Sequence, residues 1–289
     1  MDIRWELSYL YRNRALRQEM GELSILLLTV GVFMDAMQFR NRADLSTSAN
    51  STPDGRFPRK RRGSMPSAPQ WTTECLQILF PDNCTIGKGP SLKAVIYHHY
   101  HIICILLNLP FGELFCYSGW RVTSADIMKC HDRLRLWVTE CGGDARRVAL
   151  HAGRLFGHIR SSDMHGYYES TTMLIACLAL CIFGEFGAVG LDAAQDRANT
   201  QLGNDNLGSV FRLDRAVAAG EVQQWLQAGS SIRPYLAGVG SIMGRDGAAR
   251  IVDEGARIMC SSTVWRIGGL LGESLRIHHE LGSKTGRCF

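Results

Sequence analysis

The clearest apolar and polar patterning in the chain lies between Thr123 and Ile159. Ile127, Cys130, Leu134, Trp137 and Cys141 recur at steps of three and four residues. That spacing puts side chains on one face of an α-helix. Lys129, Asp132, Arg133 and Glu140 fall away from the stripe. Thr123, with Asp126 three residues later, offers a capping box at the start. Gly142 and Gly143 read as the end of this helix, and Asp144 as the cap of the next. Val148, Ala152, Leu155 and Ile159 form the second stripe. So short a connection favours antiparallel neighbours, which predicts a helical hairpin.

Other segments are apolar without a polar face. Ser91 to Leu107 is helical in pattern and apolar almost all round, with Pro110 soon after. Such a helix belongs inside a core. Tyr167 to Phe186 reads the same way. Residues 1–43 read as helix broken near Gly21. Residues 44–70 are rich in Ser, Thr, Pro, Gly and Arg and have no periodicity, the pattern of a long basic linker. Residues 187–208 read as loop. Further helices are expected over Val210–Ala228, Ala248–Cys260 and Ser262–Leu281. No alternating run of strands and no fixed repeat is visible. The fold class is therefore all-α: a multi-helix globular domain with one long basic linker. Its parts are an N-terminal helical segment (1–43), a disordered linker (44–70) and a helical domain (71–289) sharing one core with 1–43.

Composition narrows the picture. The 289 residues are 46% hydrophobic and 20% charged, as folded proteins are. The net charge is +5, and the run Arg56 to Arg62 alone holds five basic residues. The rest is nearly neutral, which does not suit a domain that wraps nucleic acid over a broad face. Cys104, Cys177 and Cys181 sit in apolar helical runs and read as small buried hydrophobes in a reducing compartment. The longest apolar runs, Met173–Phe183 and Ile25–Met34, are about half the roughly 20 residues a bilayer helix needs. Asp2, Arg4 and Glu6 suit a signal peptide poorly. No membrane partner is expected.

Candidate chemistry is sparse. His98, His101 and Cys104 are spaced by three, and His99 falls among Val95, Ile102 and Leu106. Structural zinc needs four ligands, usually in close pairs, and no C-x-x-C occurs. These histidines read as core and boundary residues. His151 and His158, seven apart, are either an acid–base pair lining a cleft or boundary packing. No G-x-S-x-G, H-E-x-x-H, Walker or G-x-G-x-x-G pattern is present. No catalytic, cofactor or metal residue is nominated, and the chain reads as a non-enzyme. Arg59, Lys60, Arg61 and Arg62 suit a nuclear import receptor. A solvated loop and direct nucleic-acid contact are the alternatives. Ser64, in Arg-Arg-Gly-Ser, is a candidate phosphosite whose phosphate would offset part of that charge.

Five blocks, in order, carry a family resemblance over roughly Ser91 to Leu281. The first is Leu109-Pro110 with Gly119-Trp120-Arg121-Val122. The second is Ala145-Arg146-Arg147, His151-Ala152-Gly153 and Leu155-Phe156. The third is the apolar helix through Leu174, Ala176 and Leu180. The fourth is Leu213-Asp214-Arg215, Trp225 and Gly229, leading to Gly238-Val239-Gly240. The fifth is Trp265 with Leu271 and Leu275. Together they resemble the regulatory region, the fungal-specific transcription factor domain of middle homology type, of fungal C2H2 zinc-finger transcription factors. The resemblance implies a helical region that controls sequence-specific transcription by RNA polymerase II in the nucleus. It implies protein partners in the transcription machinery, an import receptor and a homodimer. DNA and zinc belong to the finger module, and the family offers no catalytic residue. This sequence contains no finger pattern, neither paired Cys and His nor a six-cysteine cluster, and it begins where the family region is already under way, as a truncated product would. The alternative is a helical small-ligand-binding protein, or a helical enzyme of unrecognised type, built on His98–Cys104 or His151/His158.

Overall fold

The computed structural model describes residues 2–17, 19–49, 70–80, 91–162, 167–199, 210–228, 232–261 and 266–284. In chain order these form α1 (Ile3–Asn13), α2 (Glu22–Ala49), α3 (Gln70–Leu79), α4 (Leu92–Asn108), α5 (Phe111–Ser118), α6 (Ser124–Glu140), α7 (Gly142–Ser161) and α8 (Tyr167–Asn199). Then come β1 (Val210–Arg212), α9 (Ala219–Ala228), β2 (Arg233–Leu236), β3 (Gly240–Ser241), α10 (Gly244–Ser261) and α11 (Arg266–Lys284). The fold is all-α, with one small sheet.

Local chemistry explains the helix ends. The Ser91 hydroxyl accepts the Ala94 N–H at 3.2 Å and starts α4. Pro110 follows the end of α4 and serves as the N-cap of α5. The Thr123 hydroxyl accepts the Asp126 N–H at 3.3 Å and donates to its carboxylate at 2.7 Å. On α6, Ile127, Cys130, Leu134 and Trp137 are buried, as their spacing predicts. Lys129, Asp132 and Glu140 are exposed.

Two apolar clusters make the core, and α4 contributes to both. Ile105, Leu106 and Leu109 join the larger one, with α6, α7, α8 and α10. Ile96, Tyr100, Ile103 and Leu107 join the smaller one, with α1, α2 and α3. That double duty is why α4 has no polar face. In the larger cluster α8 is central, flanked by α6, α7, α10 and α11.

A close approach ties distant parts of the sequence together. A β-carbon at Gly153 on α7 would collide with Leu213, just after β1. Only glycine lets these backbones meet. Beside this contact Trp225 of α9 stacks flat on Phe211, ring centroids 4.7 Å apart. Asp214 pairs with Arg212 at 2.9 Å and accepts the Ala237 N–H at 3.1 Å. The second and fourth sequence blocks thus meet at Gly153 and Leu213.

Several expectations are corrected. Gly142 and Gly143 do not end α6: that helix stops at Glu140, and the two glycines form the first turn of α7. Asp144 lies inside that turn and pairs with Arg147 at 2.8 Å instead of capping. The α6–α7 hairpin is a minor contact, because α7 packs chiefly on α8 and α4. Its buried face is wider than one stripe and includes Ala145, Ala149, Leu150 and Phe156. Residues 187–208 are not all loop, since α8 continues to Asn199. An internal glycine costs roughly 1 kcal/mol, too little to end so long a helix. Val210 opens a strand, not a helix: β1 pairs parallel with β2, and β2 antiparallel with β3. Strands of two to four residues are too short to show a period of two. Helix α2 runs to Ala49, six residues past the expected boundary at 43.

Among the described residues, Glu22–Phe39 and Tyr168–Gly187 are long and apolar enough to cross a bilayer. Counting apolar runs missed both, because Asp35 ends the first and Gly184 and Glu185 end the second.

Candidate functional site

Where the two apolar clusters meet along α4, that helix turns its histidines toward α7. His98 and His101, one turn apart on α4, are buried. On α7, His151 is buried and His158 half-buried. The two helices pair them crosswise. The Nδ1 atoms of His101 and His151 lie 2.8 Å apart. The rings of His98 and His158 stand edge to face at 5.1 Å. Tyr97 packs against both sets, 4.1 Å from the His101 ring and 4.9 Å from His158. Tyr168 of α8 closes the end, 5.3 Å from His98.

The chemistry follows from burial. Loss of hydration pushes His98 and His151 down to about 3 from an ordinary 6.5. After burial, His158 and His99 add to the effect on His98, and Arg154 and Arg147 to that on His151. His101 is driven well below its ordinary value by burial, then by His151 and Arg154. His158 is lowered by burial. At pH 7 all four rings are therefore neutral. A neutral pair meeting at Nδ1 shares one proton there, so the two rings must hold opposite tautomers. Both ring nitrogens of His98 are buried without a hydrogen bond, at a real cost in desolvation.

The expected row of His98, His101 and Cys104 is divided. The two histidines face α7, and Cys104 packs into the smaller core. His99 instead bonds its own helix, Nδ1 to the Val95 carbonyl at 2.8 Å. No group of three or more His, Cys, Asp or Glu side chains among the described residues is arranged to hold a metal. His151 and His158 do not work as a pair, because each has its partner on α4.

Beside His151 lies a cleft of about 80 Å³ between α3, α4, α7 and α9. Its α7 wall carries Arg147, His151 and Arg154, spaced by four and three along one helix face. Gln77 of α3 and Asn108 of α4 face it, and Leu226 of α9 closes it. Arg146 donates twice to the Leu226 carbonyl, at 3.0 and 2.6 Å, and so ties α9 to α7. A wider hollow of about 400 Å³ lies between α1, α2 and α3, where Tyr11 donates to Asp35 at 2.6 Å. Sequence reasoning missed Arg154, Gln77 and the cleft itself. Residues 50 positions apart, such as His101 and His151, leave no local signal of their meeting.

The import candidates Arg59, Lys60, Arg61 and Arg62 and the candidate phosphosite Ser64 lie outside the described residues. So do Gly229 and Trp265 of the fourth and fifth sequence blocks.

Comparison with known proteins adds one relationship. No family model matches the sequence, and no solved structure does. The chain is 23% identical over 175 residues to a protein of Gibberella fujikuroi named "Transcription factor". The match takes in 61% of this chain and 22% of that protein, so the chain spans about a fifth of its relative's length.

Proposed function

We propose that this chain is a regulatory region of a fungal sequence-specific transcription factor acting on RNA polymerase II. The observation that carries the proposal is the similarity, over 61% of the chain, to a fungal protein named as a transcription factor. Two features support it. The fold is a helical body, and its second and fourth sequence blocks meet at Gly153 and Leu213. The region works through protein contacts, with the transcription machinery and in a homodimer, and not as an enzyme. DNA contact and zinc belong to a finger module outside these 289 residues. The nucleus is its place of action, reached through an import receptor that binds Arg59, Lys60, Arg61 and Arg62.

Fusing the chain to an unrelated DNA-binding domain beside a reporter gene tests the proposal. Reporter output several-fold above or below that of the DNA-binding domain alone is expected. Unchanged output from a fusion that is present in the nucleus would overturn it. The import role has a separate test. Replacing Arg59 through Arg62 by Ala leaves a fluorescent fusion, made too large for passive entry, in the cytoplasm. Undiminished nuclear signal would remove that role. The isolated chain has no sequence-specific DNA binding: even with all five clustered charges on phosphates, the logarithmic salt slope is only about −4 to −5. A salt-resistant, sequence-selective gel shift would contradict this.

A further inference from the structure

We infer that the cleft between α3, α4, α7 and α9 binds the carboxylate or phosphate group of a small metabolite. Arg147 and Arg154 both line one small space, with His151 between them on the same helix face. Guanidinium forks are the side chains best shaped for carboxylate and phosphate oxygens. Asp144 accepts one N–H of Arg147 at 2.8 Å, which leaves that guanidinium further donors. The acid on α3, Glu74, is engaged elsewhere, by Arg14 at 2.8 Å and Gln70 at 3.0 Å.

His151 supplies the second observation. Its Nδ1 is engaged by His101 Nδ1 at 2.8 Å. Nε2 is then the ring nitrogen left for the cleft. If His101 donates across the Nδ1 contact, His151 is the Nε2–H tautomer and presents a donor to the cleft. An anion selects this tautomer, since the other would aim a lone pair at it. The low proton affinity of His151, caused by burial and then by Arg154 and Arg147, agrees with a positive local field.

Size limits the ligand. About 80 Å³ is the room of two or three waters at roughly 30 Å³ each. One carboxylate or phosphate group fills that space, and the carbons that carry it lie along the mouth of the cleft. Leu76, Leu150 and Leu226 give the carbons an apolar wall. The cleft joins elements of both cores, α3 from the smaller and α9 from the larger. An occupant therefore braces one against the other. The site stands whether or not the chain regulates transcription.

Titration calorimetry on the full chain, with inorganic phosphate and separately with succinate at constant ionic strength, tests the site. The range should reach about 10 mM, so that a Kd of about 1 mM is read. Saturable one-to-one binding of at least one probe is expected, and the stronger probe tells a phosphate-bearing from a carboxylate-bearing ligand. Arg147→Gln removes a donor, and Gln77→Glu places a carboxylate in the cleft at an exposed position. Each should weaken binding roughly tenfold, the effect of one charge-assisted contact, with an unchanged circular dichroism spectrum. Saturable binding of neither probe overturns the proposal, as does binding unaltered in both variants.

Discussion

Helices α2 and α8 are nearly equal in apolarity and opposite in fate. The windows Glu22–Phe39 and Tyr168–Gly187 have mean hydropathies of 1.5 and 1.7, yet 22% of the first and 78% of the second is buried. The difference lies in their neighbours. Helix α8 is surrounded by α6, α7, α10 and α11, whereas α2 meets α1, α3 and α4. Leu28, Val32 and Ala36 of α2 are buried against them, and Leu23, Leu27 and Met34 are exposed. Apolar composition supplies the drive to be covered, but the number of packed partners decides how much of a helix is covered.

The comparison breaks first, and most severely, in α8. Phe186 is almost fully buried among Tyr117 and His131. Phe186→Ala should cost about 3–5 kcal/mol in urea denaturation. Trp137→Ala, on the α6 face, belongs in the same range. A loss under roughly 1 kcal/mol at either site would put that residue at the surface. On the buried side of α2, Leu28→Ala should cost about 3 kcal/mol. An effect near zero would mean that the smaller core does not stabilise the fold.

The junction between the cores should respond to acid. His98 and His151 have folded values near 3, below the ordinary 6.5. Their unfolded forms therefore bind protons first. Their contribution is present above about pH 6.5 and is lost as pH falls from there toward 3. Between pH 6.5 and 5, His98 alone removes about 2 kcal/mol. His98→Phe should flatten this acid limb of a denaturation series. A limb of unchanged slope would mean that His98 is hydrated in solution. The smallest effect is expected on the outer side of α2, where Leu27→Gln and Met34→Gln should each stay within about 0.5 kcal/mol. A cost above about 2 kcal/mol would place that face inside the core and remove the contrast with α8.

The sequence was most legible where helices are amphipathic. The stripe from Ile127 to Trp137, the capping Thr123 and the all-round apolarity of α4 each carry a local signature. What stayed hidden depends on contact between remote segments. The meeting of His101 with His151 leaves no periodicity, and neither does the cleft beside it. The glycines at 142 and 143 are ambiguous locally, since a helix can end or begin there. Only the packing of α7 on α4 and α8 resolves that choice. The short sheet escaped because strands of two to four residues are too short to show a period of two.

The most direct test joins the fold to the proposed role. Reporter output should be measured for the tethered chain and for its Phe186→Ala variant at equal nuclear abundance. The account predicts a several-fold departure from the DNA-binding domain alone for the intact chain, and loss of most of that departure in the variant. Equal output from the two, or no departure from either, would contradict it.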